Sequence, residues 1–134
     1  EYWQKKLNKS SQLKTPAFSS LLVYFQNVRG LRTKLQLSFG NVLFCQYDIL
    51  IFNETWLTDD IDNAELQMFD IYNIYRKDRS SATSSFLRGG GVLIAVRKTI
   101  SSNILPATGN IEQLFVEIEG LGLCAVQPVI TYLF

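Results

Sequence analysis

Two short apolar runs, residues 21–25 (LLVYF) and 49–52 (ILIF), each lead into a polar residue and bracket a segment with helical spacing. Both runs are rich in β-branched and aromatic residues, which predicts strands buried on both faces. Between them Leu31, Leu35, Phe39, Val42 and Cys45 recur at three- and four-residue steps, the stripe of one helix. Gly30 marks the turn into that helix, and Tyr47-Asp48 the return to extended chain. Further along, residues 65–68 predict a short helical turn, 70–75 and 92–96 two more strands, and 100–105 an extended, partly polar segment. Residues 112–118 alternate in part, 119–122 form a turn, and 123–126 return as the second arm of a hairpin. No internal repeat or heptad seam is present. The pattern predicts one α/β domain with a mixed sheet and one main helix.

A strand–helix–strand unit of this length makes its two strands parallel, joined by a right-handed crossover. Asn27 lies two residues past Phe25 and Glu54 two past Phe52, so both arrive at the same edge of the sheet, beyond the carboxyl ends of the strands. Open α/β sheets bind ligands there. Neighbouring strands lie roughly 5 Å apart, which lets an amide and a carboxylate converge on one ion or phosphate. Spacing alone reads equally well as two ordinary polar strand ends.

Composition narrows the chemistry. The chain has 134 residues, 47% hydrophobic and 13% aromatic, enough for one folded core. A net charge of +1 supplies no strong field for nucleic acid. No apolar run approaches the ~20 residues of a membrane span, and residues 1–14 lack the apolar centre of a secretion signal. The chain does not begin with methionine, as expected of a piece of a longer reading frame. Lys5, Lys6, Lys9 and Lys14 make residues 1–18 a basic polar leader, either solvated or an arm for nucleic-acid phosphates, the former favoured. Cys45 and Cys124 sit at apolar positions and read as buried free thiols. With no second cysteine pair and no histidine, the residues argue against a zinc site, and the lack of histidine excludes Ser-His or Cys-His nucleophile activation.

Several polar clusters invite functional readings. Asp59, Asp60 and Asp62 lack the central glycine and terminal glutamate of a calcium loop, so they read as a solvated cap. Trp56 reads as filling the sheet edge rather than stacking on a ligand. In the cluster Arg76-Lys77-Asp78-Arg79, Asp78 pairs with Arg76 or Arg79, or else Arg76 and Arg79 reach a DNA phosphate. Residues 80–87 form a Ser/Thr-rich loop. Gly89, Gly90 and Gly91 precede a strand rather than a helix and carry no Gly-Lys-Ser/Thr, so they mark close backbone approach rather than a phosphate loop.

The segments QNVRGLRTKL, YDILIFNETWL, YRKDR and RGGGVLIAV together resemble the endonuclease/exonuclease/phosphatase superfamily. They are most similar to the endonuclease domain that opens the polymerase protein of LINE-type (non-LTR) retrotransposons, the insect jockey-like kind. The resemblance covers residues 21–126. It implies a deoxyribonuclease I-like, four-layer α/β/β/α sandwich, of which this chain supplies the first half, roughly one sheet with its helix. It also implies Mg2+-dependent hydrolysis that nicks target DNA, with Glu54 holding the metal and Asn27 the scissile phosphate, in the nucleus for an active element. Arg29 stands where the abasic-site-repair branch carries aspartate, which points to the retrotransposon branch. Past residue 126 the family's Asp-x-Asn and Ser-Asp-His motifs do not follow, and Tyr132 is out of register with the family tyrosine. The expected division is therefore a leader (1–18), an incomplete domain (19–127) and a tail departing from the pattern (128–134). Such a chain is expected to be inactive and to self-associate through an apolar sheet face lacking its partner. The alternatives are a non-catalytic remnant that binds nucleic acid or protein, and a small-phosphate phosphatase of the same superfamily.

Overall fold

A computed structural model describes residues 21–38, 46–66, 68–79, 89–107, 111–119, 122–126 and 131–133, with the backbone path alone for 36–38, 122–126 and 131–133. β1 (Val23–Asn27), α1 (Leu31–Ser38) and β2 (Ile49–Asn53) form the expected unit. β1 and β2 pair in parallel, from Val23 opposite Ile49 to Asn27 opposite Asn53. β4 (Val92–Arg97) runs antiparallel along the other side of β2, and β3 (Tyr72–Lys77) flanks β4. The resulting order, β1-β2-β4-β3, is a mixed sheet.

The two central strands, β2 and β4, are buried along almost their whole length, which explains their uninterrupted apolar wording. Their alternation divides the core in two. Leu50, Phe52, Leu93 and Ala95 face Leu31 and Leu35 of α1, together with Leu57, Ile61, Leu66, Met68 and Tyr72. Ile49, Ile51, Val92, Ile94 and Val96 face the opposite way. β1 departs from the expectation of a strand buried on both faces: it is an edge of this sheet, and Phe25 is 50% exposed. An apolar run reports strand propensity and says nothing about how many neighbours the strand acquires.

The larger correction concerns the second face of the sheet, expected to be bare. β5 (Ser102–Leu105), β6 (Leu114–Ile118), β7 (Gly122–Val126) and β8 (Thr131–Leu133) form a second, antiparallel sheet in that order. Leu114, Val116 and Ile118 of β6 pack with Ile49, Ile51, Val92, Ile94, Val96 and Ile100 in one buried cluster. Each such aliphatic side chain contributes about 1.5–3 kcal/mol when removed from water. The chain thus supplies more than one sheet with its helix, and β6 covers part of the face expected to be bare. Part of the expected tail, β8, joins this sheet by pairing with β7.

Smaller shifts have local causes. β3 begins two residues later than expected, because the amides of Ile71 and Tyr72 both donate to the Met68 carbonyl in a turn. Arg76 and Lys77 lie within β3, opposite Leu93 and Val92. The short helical turn is a 3₁₀ turn at Asn63–Glu65, capped reciprocally: Asp62 Oδ1 accepts from the Ala64 amide and Glu65 Oε1 from the Asp62 amide. The acidic loop is accordingly a cap. Phe39, Val42, Cys45, the lysine leader and the loop 80–88 fall outside the described residues, as does the Cys124 side chain. Among the described residues no helix is long and apolar enough to cross a membrane.

Candidate active site

The edge where β1 and β2 end is also where β4 begins, and three segments of backbone are stitched together there. The amides of Val28, Gly30 and Leu31 donate to the carbonyls of Asn53, Glu54 and Thr55. On the other side, the amides of Thr55 and Trp56 donate to the carbonyls of Gly91 and Gly90, at 3.3 and 2.9 Å. The stitching forces unusual backbone. Arg29, Glu54 and Trp56 have φ of 46°, 56° and 55°, and all three lie at this junction. Left-handed conformations cost non-glycine residues of order 1–3 kcal/mol and gather where the surrounding structure imposes them.

The imposed turn aims the Glu54 side chain. Its Oε2 accepts two hydrogen bonds, from Trp56 Nε1 at 3.0 Å and from the Gly90 amide at 3.1 Å. Among the described residues Oε1 accepts none. The Trp56 indole hydrogen bond, opposed by partial burial, holds the Glu54 carboxyl below its usual range; the Gly90 amide and the charges of Arg79 and Arg29 act with it. Glu54 is therefore ionised at neutral pH, with one oxygen fixed and the other available. Trp56 is 44% exposed, and its ring lies over Gly30, 3.1 Å from where a β-carbon there would sit. Its edge-filling role and its bond to Glu54 are one arrangement.

Two glycines of the Gly89–Gly91 turn are needed for close approach. A β-carbon on Gly90 would overlap the Arg79 guanidinium, and one on Gly91 would fall 2.5 Å from Thr55 Oγ1. Both glycines also have positive φ, 70° and 87°. Thr55 is 1% exposed, and its hydroxyl has no hydrogen-bond partner among the described residues.

Arg79 Nε donates to Glu112 Oε1 at 2.6 Å, and Glu112 Oε2 accepts from the Gly91 amide at 3.1 Å. The bond to Glu112 raises the Arg79 pKa further above its already high value. Glu112 is 5% exposed and lies just before β6, so this pair ties the second sheet to the glycine turn. Of the two pairings open to Asp78, the one formed is with Arg76, 2.6 Å from Nη2 to Oδ2. Arg76 also donates to Asn63 Oδ1 and to the Thr58 carbonyl, pinning the acidic loop to the end of β3.

The residues singled out from sequence thus fall into two groups. Asn27 and Glu54 reach the same sheet edge, as the parallel pairing requires. Asn27 is exposed, and the hydrogen bonds of the Glu54 carboxylate run to Trp56 and Gly90 rather than to Asn27. Arg76 and Arg79 are engaged by Asp78 and Glu112. Sequence reasoning missed Glu112 and Thr55. The signal for Glu112 was a charged residue two positions ahead of a partly alternating strand, which is suggestive only once its partner is known. No family model matches the chain, and no curated protein matches it.

Proposed function

We propose that this chain is a metal-dependent phosphodiesterase domain of the endonuclease/exonuclease/phosphatase type, from the branch that nicks target DNA in LINE-type retrotransposons. On this reading the helix layer and the two packed sheets belong to a deoxyribonuclease I-like α/β/β/α sandwich. Glu54 holds Mg2+, and Asn27 binds the scissile phosphate beside it. DNA cleavage is assigned to the parent domain, to which this chain brings the metal and phosphate positions.

The observation that carries the reading is the state of the Glu54 carboxylate: ionised, oriented through Oε2 by two donors, and with Oε1 accepting no hydrogen bond among the described residues. Magnesium is commonly bound through one or two carboxylates, with water and substrate phosphate completing its shell. Among the described residues no cluster of three or more acidic or thiol groups forms around Glu54, so water and substrate phosphate would have to complete the shell. When bound, the ion would supply charge stabilisation to a phosphoryl oxygen. The chain's own contributions are orientation and charge. Trp56 and Gly90 fix the carboxylate, the carboxyl stays deprotonated, and the Asn27 amide offers donors to a phosphate at the same edge. The 134 residues contain no histidine to act as a general base. The alternative of a nucleic-acid-binding remnant draws on Arg76 and Arg79, whose side chains are bonded within the protein.

The test is Mn2+ binding by electron paramagnetic resonance, with Mn2+ standing in for Mg2+, alongside retention of a short DNA duplex. Glu54→Gln is expected to weaken Mn2+ about tenfold or more. Asn27→Ala is expected to leave Mn2+ binding intact and to weaken metal-dependent DNA retention. Equal Mn2+ affinity in wild type and Glu54→Gln would overturn the proposal.

A further inference from the structure

We infer that Glu112 keeps the Glu54 site open by holding Arg79 away from it. The inference rests on the metal-site reading above and adds to it a positioning residue contributed from the second sheet. Arg79 stands between two carboxylates. Its Nη1 and the Glu54 Oε2 both lie within 4 Å of the point where a side chain on Gly89 would begin. Its Nε, however, is bonded to Glu112 at 2.6 Å.

The choice between the two carboxylates follows from burial. Glu112 is 5% exposed and already anchored through Oε2 by the Gly91 amide, so an unpaired charge there would be costly. Glu54 is less buried and has its own donors on Oε2. Arg79 therefore settles on Glu112, with its guanidinium packed against the Gly90 backbone. A guanidinium favours a two-pronged grip on a carboxylate. Among the described residues Asp78 is held by Arg76, so without the Glu112 charge the carboxylate left within reach of Arg79 is that of Glu54, whose second oxygen is the one a cation needs. Arg29, also near Glu54, is exposed and belongs to a separate turn. Glu112 acts on the site only through Arg79.

Two variants test this by Mn2+ titration of the whole chain. Glu112→Gln is expected to weaken Mn2+ binding about tenfold or more. Adding Arg79→Met to it removes the competing cation together with its buried partner, and affinity is expected to return to within about threefold of wild type. If Glu112 and Arg79 were only structural, the double variant would bind no better than Glu112→Gln; that result overturns the inference. A metal-free arm separates this from the parent reading. The coupling in Tm between Glu54→Gln and Arg79→Met is expected to be larger by about 3 °C in the Glu112→Gln background than in wild type, where the two charges already interact at a distance. A chain whose Mn2+ binding ignores Glu54 would end the metal reading, while this coupling would still decide whether Glu112 restrains Arg79. No larger coupling in that background overturns the restraint.

Discussion

Replacing Gly91 with alanine perturbs the junction at one defined point, and its cost separates into two parts. Gly91 has φ of 87°, and placing a residue with a β-carbon in left-handed backbone costs roughly 1–2 kcal/mol. The new β-carbon would also lie 2.5 Å from Thr55 Oγ1. Thr55 is 1% exposed and has no room to retreat, so overpacking adds about 1–3 kcal/mol. Gly91→Ala is expected to destabilise the protein by about 2–5 kcal/mol in urea unfolding. Thr55→Ala alone is expected to be close to neutral. It loses a methyl worth about 0.8 kcal/mol but also removes a buried hydroxyl without a partner among the described residues. In the double variant the steric part disappears and the backbone part stays. The two changes are expected to couple by about 1–3 kcal/mol, with the double variant retaining a deficit of roughly 1–2 kcal/mol. Strict additivity, with coupling under about 0.5 kcal/mol, would refute the claim that Gly91 is required by its contact with Thr55.

Other expectations follow from the same geometry. Ile118→Ala, at the interface between the sheets, is expected to cost about 2–5 kcal/mol in urea unfolding; a neutral result would mean that the second sheet does not cover the first. Arg76→Ala leaves the half-buried Asp78 without its partner and is expected to cost about 1–3 kcal/mol. Arg76→Lys should recover little, since one ammonium cannot reach Asp78, Asn63 and Thr58 together. In chelator-treated protein, Glu54 contributes stability that is fully present above its ordinary pKa. That contribution fades as pH falls through the depressed folded value, because protonation then costs the folded state its advantage. Stability–pH curves of wild type and Glu54→Gln should therefore converge on the acid side, and Trp56→Phe should make the loss smaller and complete it at higher pH.

The strands that were legible beforehand are those whose residues are dictated by burial alone. β2, β4 and the β6–β7 hairpin were visible because apolar runs and partial alternation follow directly from what their faces touch. The parallel β1–β2 pairing, and with it the shared edge of Asn27 and Glu54, followed from the length of the intervening helix. Sheet membership was not legible. Ser102–Leu105 carries no clean alternation, because it is half-exposed and lies at an edge of the second sheet. Its role depends on β6, which it meets only after folding. Of the candidate site, the shared edge of Asn27 and Glu54 was legible and the aim of the carboxylate was not. Nothing about Arg29, Glu54 or Trp56 as residue types favours left-handed backbone, so the turn that aims the carboxylate is written in the tertiary hydrogen bonds of its neighbours. Glu112 was hidden for the same reason: it acts across 33 positions of chain, on an arginine whose own reading was ambiguous.

The segment after β2 has one more property. Its carbonyls at Asn53, Glu54 and Thr55 are claimed by the β1 side, and its amides at Thr55 and Trp56 by the glycine turn. Surface connections ordinarily absorb length changes, because few of their backbone groups are spoken for. Here both margins of an irregular stretch are in register with something else. Adding or deleting one residue between Asn53 and Trp56 would break two seams at once and turn the carboxylate out of the site.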